Sequence, residues 1–111
     1  MSERDNKIKI IKRFEELEER VDRYDRYNYY ININDRKRPA LIVMELSHTG
    51  NGYINGSYVN VSSYETTKTG DINIKSITDA EITKLIEEAI HNIKCNFVQD
   101  AGIYEKVVKL F

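Results

Sequence analysis

The amino-acid sequence predicts an α+β fold, in which an antiparallel four-stranded β-meander is flanked by an N-terminal and a C-terminal amphipathic helix in the order α-ββββ-α. Three observations support this fold class. Apolar residues recur at helical spacing near both ends of the chain, apolar and polar residues alternate in between, and short polar turns separate the alternating segments. Strands joined by short turns pair antiparallel. Residues 1–111 are expected to form a single domain, because no repeat or linker interrupts them.

The N-terminal helix is predicted over residues 5–25. Ile10, Phe14, Leu17 and Val21 recur at spacings of four and three residues, which is a heptad seam. This seam is narrower than the apolar face of a helix that lies on a sheet. Two interpretations therefore stay open: an amphipathic helix packed on the sheet, or a self-pairing or partner-binding helix whose seam residues form a homodimer or partner contact.

Four strands are predicted, over residues 27–34, 40–46, 53–63 and 72–75. In the first of them, Tyr27, Tyr29 and Ile31 fall on one face, while Asn28 and Tyr30 fall on the other. One side of that strand is therefore expected to face the core and the other to face water. The second strand is the most apolar and is expected to lie centrally in the sheet. The turns between the strands are rich in Gly, Asn, Asp, Ser and Thr, which suits tight connections.

The C-terminal helix has the clearest local signal. Thr78 and Glu81 have the spacing of a capping box, and Ile77 and Ile82 flank it as a hydrophobic staple. A broad apolar stripe follows, which is expected to lie flat on the sheet, and it consists of Ile82, Leu85, Ile86, Ala89, Ile90, Ile93 and Phe97. The helix is expected to end at 99–102. The tail, residues 103–111, is predicted as a short last helix, with an edge strand as the alternative.

Composition points to a globular protein of the cytoplasm. Hydrophobic residues make up 41% of the chain and charged residues 32%, which is typical of a well-solvated domain rather than a disordered one. The single cysteine, Cys95, excludes an intrachain disulfide. The longest apolar run, residues 40–44, is too short to cross a bilayer, so no membrane association is expected. Abundant Ile, Asn, Lys and Tyr, which have AT-rich codons, indicate a low-GC genome.

A catalytic centre is not predicted, and neither is a metal or another cofactor. A nucleophile needs a base and an orienting group that converge on it. The candidate groups are His48, His91 and Cys95, and a lone cysteine on an amphipathic helix is usually a small packing residue. His91 and Cys95 are spaced to share a helix face, but a structural zinc site needs four ligands. The two histidines and the cysteine therefore favour a protein that is not an enzyme.

The residues singled out for binding are arginines, a lysine and tyrosines interleaved between positions 20 and 38. All seven arginines of the chain lie in its first 39 residues. Guanidinium groups and phenol rings are enriched in protein interfaces, and they also bind single-stranded nucleic acid through phosphates and stacked bases. The predicted binding residues are Arg20, Arg23, Tyr24, Arg26, Tyr27, Tyr29, Tyr30, Arg36, Lys37 and Arg38. A solvated surface with no binding role is the simpler interpretation.

Two functional hypotheses follow from this surface. The first is a small non-enzymatic protein that acts by protein–protein contact, with a homodimer as one form of that contact. An inhibitor or adaptor of a host machine, encoded by a phage or mobile element, fits the size and amino-acid composition. The second hypothesis is a single-stranded nucleic-acid-binding protein. The net charge of −1 favours the first, because dedicated nucleic-acid binders carry a basic excess.

Overall fold

The computed structural model describes residues 3–32 and 39–102, and within them the chain forms an antiparallel sheet between two helices. The elements are α1 (Glu3–Ile11), β1 (Leu17–Val21), β2 (Tyr27–Ile31), β3 (Ala40–Leu46), β4 (Tyr53–Ile54), β5 (Ile72–Asn73) and α2 (Asp79–Gly102). Single turns of 3-10 helix follow β4 and β5. The predicted α+β class and the helix–sheet–helix order are confirmed, whereas the described sheet has five strands instead of four.

The strands lie side by side in chain order, β1-β2-β3-β4-β5, and every neighbouring pair is antiparallel. The register of the first pair runs from Leu17 opposite Ile31 to Val21 opposite Tyr27. Between β2 and β3 the register shifts, and Glu45 adopts a positive φ of 58° there. The side chain of Asn28 accepts a hydrogen bond from the Glu45 N–H at 2.9 Å, which satisfies a donor that the bulge removes from the ladder. Because β1 is the first strand in this order, it lies at one edge of the described sheet.

The prediction of one helix over residues 5–25 is wrong from residue 12 onward. Helix α1 ends at Ile11, and turn bonds from Phe14 N–H to Ile11 C=O and from Leu17 N–H to Phe14 C=O, both 3.1 Å, reverse the chain. Leu17 to Val21 then pairs with β2. Helix formation alone stabilises a short isolated segment only marginally, whereas pairing with β2 satisfies a ladder of backbone groups. The heptad seam therefore does not form a helix face: Ile10 is buried in the core and Val21 is exposed.

The third and fourth predicted strands are shorter than expected. Residues 53–63 form a strand only over Tyr53–Ile54, because the Asn55 side chain then accepts the Ser57 N–H at 3.0 Å and starts a 3-10 turn. The turn brings Gly56 against the chain at Gly70, where a Cβ on Gly56 would lie 1.8 Å from the Gly70 carbonyl oxygen. The predicted strand 72–75 ends at Asn73, whose side chain caps the second 3-10 turn. Short polar caps thus end strands that β-propensity alone would continue.

The predicted capping box of α2 is confirmed. Thr78 N–H donates to Glu81 Oε1 at 2.8 Å, and Glu81 N–H donates to Thr78 Oγ1 at 3.1 Å. The predicted stripe of α2 is buried in the core, as shown by Ile82, Leu85, Ile86, Ala89, Ile90 and Ile93. Each large side chain of this set contributes about 1.5–3 kcal/mol of burial free energy. The side chain of Phe97 and the tail 103–111 lie outside the described residues.

Helix α1 is fixed against the start of α2 by one buried cation. Lys7 is buried, and its Nζ donates to Asp79 Oδ1 at 3.0 Å in the first turn of α2. Ile10 and Ile11 add their side chains to the same core as the α2 stripe. The described helices do not include one that has both the length and the hydropathy to span a membrane.

Candidate docking surface on the β1–β2 hairpin

The tip of the β1–β2 hairpin is ordered by its own polar groups. Asp22 N–H donates to the Arg26 carbonyl at 2.9 Å, Asp25 N–H donates to the Asp22 carbonyl at 3.1 Å, and Asp25 has a positive φ of 62°. A three-residue loop that ends in a left-handed residue is a common hairpin connection. The carboxylate of Asp22 also accepts the N–H groups of Tyr24 at 2.8 Å and Arg26 at 3.1 Å. The tip, residues 21–26, therefore presents Tyr24 from a fixed backbone.

Two large hydrophobic side chains of the tip remain exposed. Val21 is 49% exposed and Tyr24 is 62% exposed. The other large hydrophobic side chains that the structure describes are buried or partly buried. The guanidinium carbons of Arg23 and Arg26 lie 5.0 and 4.9 Å from the centre of the Tyr24 ring. Arg23 Nη2 also donates to the Tyr24 hydroxyl at 2.9 Å. An exposed ring held beside two cations is the composition that interface hot spots favour.

Tyr29, one of the predicted binding residues, lies in the core. Its ring is 1% exposed, and its hydroxyl donates to Glu19 Oε2 at 2.7 Å across the β1–β2 pair. Burial, together with the hydrogen bond to this carboxylate, raises the pKa of Tyr29 far above its usual value. The alternation along β2 had already indicated this position, because Tyr29 shares the apolar face with Ile31. Tyr29 therefore stabilises the hairpin and is not part of its exposed surface.

Tyr27 and Tyr30 are half-buried and each has a guanidinium group against its ring. Arg4 of α1 lies over Tyr27, with its guanidinium carbon 4.8 Å from the ring centre, and Arg20 lies over Tyr30 at 4.7 Å. Arg4 Nη1 also donates to the carbonyl of Asp25 at 2.9 Å and to its carboxylate at 3.1 Å. The Arg4 contacts fix the hairpin to α1, and the two guanidinium groups each cover a ring face that a base would need for stacking.

Two of the predicted arginines form ion pairs with nearby acidic residues. Arg20 Nε is 3.0 Å from Glu18, and the hydrogen bond to Glu18 is the main cause of the raised pKa of Arg20. Arg26 contacts Asp22 at 3.2 Å and Glu45 at 3.7 Å. Burial acts to raise the pKa of the Asp22 carboxyl, but hydrogen bonds from the Arg26 and Tyr24 N–H groups and the Arg26 charge together lower it. The net charge that the tip presents is therefore small.

The remaining predicted residues divide into two groups. Arg23 is exposed and contacts Tyr24, as described. Arg36, Lys37 and Arg38 lie outside the described residues, so the structure does not relate them to the tip. The role of Arg4 was missed because its partners, Tyr27 and Asp25, are more than 20 positions away along the chain.

The histidines and the cysteine do not gather into a centre within the described part of the chain. His91 Nε2 and Cys95 Sγ are 3.6 Å apart on adjacent turns of α2. His48 is exposed in the turn between β3 and β4. Among residues 3–32 and 39–102, no three His, Cys, Asp or Glu side chains are arranged to hold a metal ion.

Comparisons of the chain with protein-family models, with curated proteins and with solved structures found no match.

Proposed function

We propose that this chain is a non-enzymatic binding protein that acts by protein–protein contact through the hairpin tip. The observation that carries the proposal is the exposure of the Tyr24 ring on a tightly hydrogen-bonded turn. A fixed aromatic side chain loses little conformational entropy when a partner covers it, and its large area gives binding energy.

The surroundings of Tyr24 indicate the chemistry of the partner. Among the residues that the structure describes, Arg23 contacts the ring and the hydroxyl of Tyr24 and forms no ion pair. Its planar guanidinium group therefore has donors to offer a carboxylate. We infer that the partner presents an apolar pocket for the Tyr24 ring, with an acidic side chain at the rim of that pocket.

The biological role of such a contact is a finer proposal. Small size and an amino-acid usage typical of a low-GC genome support an inhibitor or adaptor of a host machine, encoded by a phage or mobile element and acting in the cytoplasm. Blocking or bridging another protein needs only a docking surface, which is what the tip offers.

Binding of single-stranded nucleic acid is the weaker candidate. Base stacking needs an open ring face. The rings of Tyr27 and Tyr30 each have a guanidinium group against them, and Tyr29 is buried. The paired state of Arg20 and Arg26 also reduces their attraction for phosphates.

The experiment is a capture of partners from extracts of the source cell with wild-type protein and matched variants. Tyr24→Ala and Arg23→Ala change the tip, whereas Lys84→Ala and Arg13→Ala change exposed residues elsewhere. We expect a protein that the wild type and both control variants retain and that Tyr24→Ala loses. Binding of that protein, once purified, should weaken about 30-fold or more with Tyr24→Ala, the scale of an interface hot spot.

Two checks make the capture decisive. Circular dichroism of Tyr24→Ala should match the wild type, because an exposed side chain contributes little to folding. If every protein retained by the wild type is retained equally by Tyr24→Ala, the tip is not the docking surface and the proposed function is refuted.

A further inference from the structure

Strand β1 has backbone groups that point away from the sheet. Asp22 donates to Arg26 across the hairpin, and hydrogen-bonded pairs alternate along an antiparallel ladder. The next hydrogen-bonded pairs are therefore Arg20 with Asn28 and Glu18 with Tyr30. It follows that Glu19 and Val21 direct their N–H and C=O groups outward. Within the described residues no strand pairs with this edge.

When a second strand pairs antiparallel with this edge, residues whose N–H and C=O groups point outward must lie opposite each other. For a second copy of β1, three symmetric registers centre on Glu18, Glu19 or Arg20. The register centred on Glu18 places Glu18 opposite Glu18, and the register centred on Arg20 places Arg20 opposite Arg20. Both of these pairs repel each other. The register centred on Glu19 overlaps the whole strand and places Glu18 of each copy opposite Arg20 of the other. It also places Glu19 opposite Glu19, so this register has two opposite-charge pairs against one like-charge pair, whereas the other two registers form no opposite-charge pair within β1.

The apolar residues of β1 are self-complementary in the same register. It places the exposed Val21 of one copy opposite Leu17 of the other. Beside Leu17 lies a cleft of about 250 Å³, whose apolar walls include Phe14, Leu17 and Tyr29. A two-fold axis at Glu19 therefore brings each exposed valine side chain to the cleft of the opposite copy, as an isologous contact requires.

We propose that the edge of β1 binds a second copy of this chain, antiparallel and centred on Glu19, so that two sheets join into one. Glu19 N–H of each copy donates to the Glu19 carbonyl of the other, and Val21 N–H donates to the opposite Leu17 carbonyl. The two Glu19 carboxylates meet near the axis, where their like charge opposes association. This contact uses the predicted seam residues Phe14, Leu17 and Val21, but along a strand edge rather than a helix face.

The proposed dimer and the proposed docking of a partner can be tested with different variants. Tyr24 lies beyond the paired segment, so Tyr24→Ala should leave self-association unchanged. Val21→Pro removes an outward N–H that makes no bond within the sheet, and proline is tolerated at such edge positions. Self-association is measured by sedimentation of the full chain over a concentration series, with circular dichroism to confirm the fold of each variant.

We expect a reversible monomer–dimer equilibrium for the wild type. Val21→Pro removes two symmetric hydrogen bonds, each contributing a factor of about 5, so dimer affinity should fall about 25-fold while the monomer stays folded. Glu19→Gln removes the like-charge contact but keeps an acceptor for Tyr29, and it should tighten the dimer several-fold. A wild type that remains monomeric throughout, or a folded Val21→Pro that dimerises as tightly as the wild type, overturns the proposal.

The register is tested by exchanging charges. Glu18→Lys leaves only cations on this face of β1, and Arg20→Glu leaves only anions, so each variant alone should dimerise more weakly than the wild type. Mixed together, the two variants restore both opposite-charge pairs and should form a heterodimer. If the mixture associates no better than the separate variants, the register centred on Glu19 is wrong.

Discussion

Replacement of Tyr29 by phenylalanine removes the one buried phenol that links β1 to β2. The ring is 1% exposed and would stay packed in the core, so only the 2.7 Å hydrogen bond to Glu19 is lost. A hydrogen bond to a charged group contributes about 1.5–3 kcal/mol. Because Glu19 is exposed and regains water, we expect the lower end, about 1.5 kcal/mol at neutral pH. For a domain of this size that corresponds to a Tm lower by roughly 6 °C.

The same variant should change how stability depends on pH. The pKa of Tyr29 is raised in the folded state, so above about pH 10 the unfolded chain loses this phenolic proton while the folded chain keeps it. The stability that Tyr29 contributes is therefore complete below pH 10 and falls by about 1.4 kcal/mol per unit above it. Tyr29→Phe lacks this loss. The wild type should thus be more stable at pH 7, and the two proteins should become equal near pH 11.

The assay is urea unfolding of the wild type and Tyr29→Phe between pH 7 and pH 11.5. Tyr24→Phe is the matched control, because Tyr24 is exposed and its hydroxyl bonds only to the neighbouring Arg23 among the described residues. It should follow the wild type at every pH. If Tyr29→Phe instead keeps full stability at pH 7 and shows the same fall above pH 10 as the wild type, Tyr29 is not buried against Glu19.

Three further predictions concern the loop, the second helix and the weaker functional hypothesis. Gly56→Ala places a Cβ 1.8 Å from the Gly70 carbonyl oxygen, so it should destabilise the fold by about 3 kcal/mol in urea unfolding. The control Ser57→Ala should change the free energy of unfolding by no more than about 0.5 kcal/mol. Thr78→Ala removes the cap of α2 and should lower stability by about 1 kcal/mol, with the exposed Lys84→Ala as its control; an unchanged midpoint would contradict the capping box. Fluorescence anisotropy with a labelled single-stranded oligonucleotide should show no binding at low salt. Binding that falls steeply with added salt would favour the nucleic-acid hypothesis.

Helix α2 was predictable because its signals are local. The pair Thr78 and Glu81 specifies where α2 begins, and the stripe after it has one periodicity that only a helix satisfies. The alternation in β2 likewise needed no distant information. The residues that determine these elements lie within a few positions of each other, so they can be recognised in the sequence.

Strand β1 was not predictable from spacing. Leu17 and Val21 are four positions apart, and residues four apart share a face both in a helix and in a strand. What decides between the two is pairing with β2, which places Glu19 against the buried Tyr29. Tertiary contacts of this kind override local propensity.

The arrangement of the named arginines and tyrosines could not be predicted from the sequence. Those between positions 20 and 30 lie on the hairpin, whereas Arg36 and Arg38 lie outside the described residues. Which rings are exposed depends on contacts from outside that segment, such as Arg4 over Tyr27. The exposure of Tyr24 depends on the loop that Asp22 orders, which a helix predicted over residues 5–25 does not contain.

The most direct test of the account is the conformation of residues 17–21, because the hairpin tip and the pairing edge both need these residues to form strand β1. In an NMR spectrum, the Hα atoms of Glu19 and Tyr29 should give a strong cross-strand NOE, since these residues form a non-hydrogen-bonded antiparallel pair. Sequential amide–amide NOEs running unbroken from residue 12 to residue 21 would instead show a continuous helix, and would contradict both the hairpin and the surface it presents.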